Sequence, residues 1–214
     1  MAEIQHGVRH ILSHPTFYNA FQNSLGIPKQ REILTRDYLQ PKPGQQILDI
    51  GCGTCDIIKH LDNYSEDYAY HGIDANQKYI KHARTKWRDR KDFAFFYGLA
   101  DRSNKDIAPN DYDLVIAFGI LHHLEDTEVQ SMIESAWKAL KVGGRLVTMD
   151  PCRYPDLNII EKLLVKFDRG QNIRTLEEYE RLLAKQFHSV QRHIRTGINH
   201  LPVRTLVYEC VKTA

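Results

Sequence analysis

Long apolar runs are missing from these 214 residues. No stretch approaches the roughly 20 apolar residues of a membrane-spanning helix, so no membrane partner is expected. The opening segment, Met1 to His10, is polar and has no apolar core suited to a secretory signal. Cysteine is scarce: Cys52 and Cys55 are close together, while Cys152 and Cys210 stand alone. That scatter excludes a disulfide framework and fits a reducing, cytoplasmic setting. A charge excess is lacking as well, since 29 Lys and Arg against 27 Asp and Glu leave a formal net charge of +2. No global field therefore recruits nucleic acid or an anionic membrane. Repeats, low-complexity tracts and linkers are absent, and the length suits one domain with a sizeable core.

What is present is concentrated in Gln46 to Asp56, Gln-Ile-Leu-Asp-Ile-Gly-Cys-Gly-Thr-Cys-Asp. An apolar strand, interrupted by Asp49, runs into Gly51-x-Gly53, and Ile57, Ile58 and Leu61 supply an apolar helix face behind it. The glycines let the backbone turn sharply and approach a ligand with no Cβ in the way. A second strand-like run, Tyr68 to Ile73, ends at Asp74, about where a βαβ unit sets an acid against ribose hydroxyls. The pattern predicts a nucleoside site. A dinucleotide fingerprint would need a third glycine, but Asp56 stands at the sixth position of the loop.

Periodicity extends the pattern. Val8, Ile11 and Leu12 recur at helical spacing, as do Phe17, Tyr18, Phe21 and Leu25 beyond Pro15. Pro28 suits a first helical turn, and Ile33, Leu34 and Tyr38 continue the apolar face. Residues 1–44 are thus expected to form a helical cap over the sheet edge or the ligand. Strands are expected at Ile47–Ile50, Tyr68–Ile73, Phe93–Tyr97, Asp113–Phe118 and Arg145–Met149. Helices are expected between them from about Cys55 to Leu61, Gln77 to Trp87 behind an Asn76 cap, and Thr127 to Leu140. This alternation argues for a parallel sheet with right-handed crossovers. Helices at Leu157–Phe167 and after the capping box Thr175-Leu-Glu-Glu178 follow, making 151–187 a helical insertion on the substrate side. Ser189–Ile194 and Thr205–Val211 have no helix between them and should pair antiparallel.

These residues resemble the class I S-adenosylmethionine-dependent methyltransferases. The resemblance covers Gln46 to Asp150 and rests on several motifs in order. Leu48-Asp-Ile-Gly-Cys-Gly53 resembles the glycine motif, Gly72-Ile-Asp74 the ribose acid, and Asp113–Phe118 the fourth-strand motif. Leu121-His-His-Leu124 resembles the segment after that strand, and Leu140-Lys-Val-Gly-Gly-Arg145 the turn before strand five. The resemblance implies a Rossmann-like, seven-stranded, mostly parallel α/β sheet with a C-terminal antiparallel hairpin and helices on both faces. In it, residues 45–214 form the S-adenosylmethionine-binding domain.

By the same resemblance, Gly51 and Gly53 pass under the methionine part of S-adenosyl-L-methionine, and Asp74 accepts from both ribose hydroxyls. Ala100 and Asp101 fall where the family meets adenine, and Phe118 and Gly119 where the backbone meets the sulfonium. Asp49, Cys52 and Ala75 flank these positions and are carried with them to the cofactor. Two departures stand out. Cys55 occupies the loop's third glycine position, and the adenine segment reads Gly98-Leu-Ala-Asp101, with the acid displaced from the glycine.

The reaction implied is methyl transfer to oxygen or nitrogen of a small-molecule acceptor. His122 and His123, at the carboxyl edge of strand four, are candidate bases for removing the acceptor's proton. A packing role is the competing reading, and in an extended segment only one of the two rings would face the acceptor. Tyr18, Phe21, Arg153, Tyr154, Arg169 and Arg174 are candidate acceptor contacts, the arginines as bidentate grips on an acidic group, with surface ion pairs as the alternative. Cys52 and Cys55 also read as a redox pair, but a cofactor on the glycine loop would block exchange. No second ligand pair stands at zinc spacing, so no metal is expected. Cys152 after strand five reads as a pocket residue or as a cytosine-methylating nucleophile. Ala117-Phe-Gly-Ile120 is not the Asn/Asp-Pro-Pro-Tyr/Phe signature of enzymes that methylate base amines, and no nucleic-acid module is visible. Methylation of RNA or protein, or cofactor binding without catalysis, remain the alternatives.

Overall fold

The computed structural model describes residues 25–101, 103–167 and 172–214. These open with helix α1 (Ile27–Leu34), which carries Pro28 in its first turn as expected and continues as a π-helical turn, Thr35–Leu39. Arg145 fastens that turn to the sheet: its guanidinium donates to the carbonyls of Tyr38 and Leu39 and to Glu209. The rest of the expected N-terminal cap, including Tyr18 and Phe21, lies outside the described residues, as does Arg169.

Strand and helix then alternate. β1 (Gln45–Ile50), α2 (Ile58–Leu61), β2 (Tyr68–Asp74), α3 (Gln77–Lys86), β3 (Phe93–Tyr97) and β4 (Tyr112–Phe118) come first. After β4 come a 3-10 turn at Leu121–His123, α4 (Asp126–Ala139), β5 (Leu140–Asp150), α5 (Ile159–Phe167) and α6 (Leu176–Leu183). β6 (Ser189–Arg195) and β7 (Thr205–Val211) finish the chain. The sheet order is β3-β2-β1-β4-β5-β7-β6. β1 to β5 are mutually parallel, whereas β7 runs antiparallel to both β5 and β6. The expected antiparallel final pair is therefore present, inserted with β7 inside and β6 at the edge.

Helices cover both faces because successive strand residues point to opposite sides. Leu48, Ile50, Val115, Ala117 and Leu146 pack with Val129, Met132, Ile133 and Ala136 of α4 and Leu182 and Leu183 of α6. Ile47, Tyr70, Leu114, Ile116 and Val147 pack on the other side with Leu34 and Leu39, Ile58 and Leu61, and Ile80 and Ala83. Each fully buried aliphatic side chain contributes roughly 1.5–3 kcal/mol of transfer free energy. Among the described residues no helix is long and apolar enough to cross a membrane.

Several boundaries differ from expectation, three of them for a visible physical reason. The helix expected from Cys55 is the single turn α2, because φ is positive at Gly51, Gly53 and Cys55 (71°, 56° and 55°), which keeps the chain turning through Asp56. α5 starts at Ile159 rather than Leu157, since Asn158 caps it reciprocally with Glu161. The expected turn at Gly143-Gly144 is instead a bulge within one long strand. Tyr112 pairs with Leu140 but Leu114 with Arg145, and Lys212 exchanges backbone hydrogen bonds with Gly143 and Gly144. A Cβ on Gly144 would stand 2.9 Å from the Lys141 carbonyl oxygen and 3.0 Å from that of Tyr112, both backbone atoms with little room to retreat. Gly144→Ala should therefore cost about 1–3 kcal/mol in denaturant unfolding. Unchanged stability would mean that the bulge relaxes freely.

Candidate functional site

Sheet order reverses between β1 and β4, and open α/β sheets bind ligands outside the carboxyl ends of strands at such a switch point. A cavity of about 210 Å³ lies there, lined by Asp49, Gly51, Cys52, Gly53, Phe118 and Gly119 among others. Whole small-molecule sites span roughly 300–1,000 Å³, so this cavity suits one end of a larger ligand. Ile27, Gln30 and Arg31 of α1 close its side.

The loop after β1 is sewn to the end of β2. Gly51 and Cys52 both donate to the Ile73 carbonyl, at 2.8 and 3.1 Å. Asp74 completes the join: Oδ2 accepts the Gly53 amide at 2.9 Å and Oδ1 accepts the Asn76 amide at 2.7 Å. A carboxylate oxygen carries two lone pairs, so one that accepts a backbone amide can also accept a hydroxyl. Nothing lies within 4 Å of where a Cβ on Gly53 would stand, which leaves the loop open toward a ligand. The cavity, the open glycine and the anchored acid fit the ribose and methionine parts of S-adenosylmethionine.

Cys55 is buried in the left-handed region, where a side chain costs of order 1 kcal/mol relative to glycine. Burial first, and then the neighbouring Cys55, push the Cys52 thiol well up, which opposes a reactive thiolate. Burial likewise pushes Cys152 up to about 12, so it is a protonated wall residue at neutral pH rather than a poised nucleophile. Burial raises the Asp49 carboxyl to about 7, against the opposing hydrogen bond from the Tyr70 hydroxyl.

Next to Gly119 stands a buried pair. His122 is 6% exposed, and its Nδ1 lies 2.7 Å from Oδ1 of Asp150, which also accepts the His122 backbone amide at 3.2 Å. Burial raises the Asp150 carboxyl, while the hydrogen bond with His122 pulls the other way. The His122 Cε1 atom lies 3.8 Å from where a Cβ on Gly119 would stand, so the imidazole abuts the cavity wall. The segment is a 3-10 turn, not extended. His122 and His123 therefore stack, with centroids 4.0 Å apart, and His123 is exposed.

Several sequence candidates stand elsewhere. Ala75 is exposed in the turn after β2. Ala100 packs against the core, and Oδ1 of Asp101 accepts the amide and hydroxyl of Ser103 in a local turn. None of the three lines the cavity. Arg153 is exposed and paired with Glu178 at 3.2 Å. Tyr154 is buried beneath the Arg204 guanidinium, 4.2 Å above its ring, and its hydroxyl has no hydrogen-bond partner among the described residues. Arg174 is a correction. It is 5% exposed, and its donors all go to Asp126 and to the carbonyls of Leu121, Leu124 and Asn172, so none remains for an acceptor.

Sequence reasoning missed Arg31, Gln30 and Asp150 as site residues. Asp150 was legible in principle: it ends the strand beside β4, at the same edge as His122. Gln30 and Arg31 carried no signal beyond their place on a helix before β1.

The Methyltransferase domain family matches residues 48–146. A phosphoethanolamine N-methyltransferase of Triticum aestivum is 30% identical over 198 residues, covering 90% of this chain. The chain spans only 37% of that relative's length. Among solved structures, phosphoethanolamine N-methyltransferase 2 of Haemonchus contortus in complex with S-adenosyl-L-methionine superposes with a TM-score of 0.74 at 18% identity, covering 100% of this chain and 62% of that one. A putative O-methyltransferase from Nostoc punctiforme gives a TM-score of 0.71 at 20% identity, covering 98% of this chain and 63% of that one. Over residues 48–146 the chain carries a Methyltransferase domain, and its motif order and sheet topology are those of the class I S-adenosylmethionine-dependent methyltransferases it resembles.

Proposed function

We propose that the protein methylates an amine nitrogen or a hydroxyl oxygen of a small polar acceptor, with His122 as the proton acceptor. The carrying observation is the buried His122–Asp150 pair, which stands next to the cavity-lining Gly119, though neither residue itself lines the cavity. An ammonium or hydroxyl must lose a proton to attack a methyl group. The cofactor's sulfonium supplies an intrinsically electrophilic methyl, so the protein's main work is alignment and exclusion of water. With Asp150 ionised, its Oδ1 accepts from Nδ1–H and makes Nε2 the basic nitrogen, while the buried carboxylate stabilises the imidazolium that forms.

Nitrogen acceptors gain support from the phosphoethanolamine N-methyltransferases among the relatives. Within the described residues, Arg174 and Arg204 are bonded to carboxylates, Arg204 to both Glu161 and Asp156. Arg169 is the cation proposed for a phosphate-bearing acceptor. At the other end of the cavity, Asp74 would take the ribose hydroxyls. Asp49 and Arg31 would face the ammonium and carboxylate of the methionine moiety.

Three outcomes test this reading. Asp74→Ala should weaken S-adenosylhomocysteine binding by roughly 1.5–3 kcal/mol in calorimetry, as hydrogen bonds to a charged group are lost. Unchanged affinity would remove the ribose assignment. Because Asp49 titrates near 7, it is neutral below that pH and ionised above it. Affinity for the cationic ligand should therefore rise as pH increases through about 7, and Asp49→Asn should flatten the profile; an identical profile in the variant would contradict the contact. His122→Ala should slow single-turnover methyl transfer about 10²–10⁴-fold at saturating cofactor, with phosphoethanolamine and ethanolamine as first acceptors. A full rate in that variant would leave alignment alone as the catalytic device.

A further inference from the structure

Arg174 is buried, and none of its hydrogen-bond partners lines the cavity. Its guanidinium faces the turn that carries His122. Nη1 donates to the Leu121 carbonyl at 2.8 Å and the Asn172 carbonyl at 3.1 Å, and Nη2 donates to the Leu124 carbonyl at 2.7 Å. Nε and Nη2 clamp Oδ1 of Asp126, the first residue of α4, at 2.9 and 2.8 Å. The carbonyls flanking His122 in sequence are thus gathered onto one planar cation. From the same segment, the Asn172 amide donates to the carbonyl of His122 itself at 3.1 Å. On the far side of the turn, Asp150 takes the His122 amide and ring. The backbone around His122 is held between a cation and a carboxylate.

A 3-10 turn of three residues has little cohesion of its own, and its last carbonyls lack intrahelical partners. Asp150 holds the His122 ring and the His122 backbone amide, which leaves the Leu121 and Leu124 carbonyls on either side to be fixed by another group. Arg174 is that group, and a guanidinium offers five donors in a rigid fork that a lysine ammonium cannot imitate. It also ties the turn to the segment that enters the capping box of α6, where Thr175 and Glu178 bond reciprocally.

We propose that Arg174 is a positioning residue, holding the Leu121–Leu124 turn so that the His122 imidazole keeps its face toward Gly119 and the acceptor. The inference rests on the reading of His122 as the base. It predicts a defect confined to the base end of the site, because Asp74 and the glycine loop are built from other strands.

The test compares wild type, Arg174→Lys, His122→Ala and the double variant, each saturated with S-adenosylhomocysteine for spectroscopy. In imidazole-labelled samples, Arg174→Lys should shift the His122 ring resonances and speed exchange of its Nδ1 proton at least about tenfold. His71, bonded to Tyr112 elsewhere in the sheet, should be unmoved. Affinity for S-adenosylhomocysteine should change less than about twofold. In single-turnover methylation of phosphoethanolamine or ethanolamine, Arg174→Lys should lose about 10–100-fold in rate. The double variant should be no slower than His122→Ala, because the arginine acts through the histidine. Additive losses, or a His122 signal identical to wild type, would overturn the positioning role. A full rate in His122→Ala would instead overturn the base reading, and the resonance comparison would still decide whether Arg174 orders the turn. Should Arg174→Lys not fold, Asp126→Ala removes one arm of the clamp from a half-exposed position and should shift the same resonances in the same direction; no shift there counts against the proposal.

Discussion

The join made by Asp74 sets the terms for the rest of the site. Its two oxygens hold the Gly53 amide on one side and the Asn76 amide on the other, binding the loop after β1 to the turn after β2. That bridge and the Ile73 carbonyl together tie a loop with three residues in left-handed conformation to the end of β2. The same carboxylate is the proposed ligand for ribose. In the proposed reading one group both shapes the loop after β1 and takes the nucleoside, and two backbone amides orient it.

At the other end of the crevice the chemistry is organised by burial. Asp150 and Asp49 are both buried carboxyls raised by desolvation, but their surroundings differ. Asp150 has a histidine at hydrogen-bonding distance and serves to orient it, while Asp49 has a tyrosine hydroxyl and faces the cavity. In the proposed reading the two acids have different tasks, one holding a base and one meeting a cationic ligand end. Arg174 is also buried, paired with Asp126 and surrounded by carbonyls. A buried arginine is tolerable only when its donors are filled, and here the groups that fill them belong to the turn that carries His122.

Much of the fold could be read from periodicity. β3 and β7 fall on the expected residues, Asn76 caps α3, and Thr175 with Glu178 opens α6, because alternation and capping chemistry are local signals. Local signals failed where long-range contacts decided the outcome. Gly143-Gly144 reads as a turn, but pairing with Lys212 draws it into the sheet. Cys55 reads as the start of a helix, yet the loop holds it at positive φ. At the site, the closeness of the glycine loop and Asp74 was legible because a βαβ unit brings the end of β2 beside the loop after β1. Arg174 was misread because a sequence shows that an arginine is present and not which carbonyls surround it. His122 and Asp150 are separated by a helix and a strand, so their pairing appears only once β4 and β5 lie side by side.

The central claim is that one crevice sets a nucleoside on Asp74 and turns its sulfur toward the His122–Asp150 pair. A crystal structure of the protein with S-adenosylhomocysteine tests this most directly. The account predicts both ribose hydroxyls within about 3 Å of the Asp74 oxygens, and the sulfur beside Gly119 on the same side as the imidazole. A nucleoside bound away from Asp74, or a sulfur facing away from His122, would contradict it.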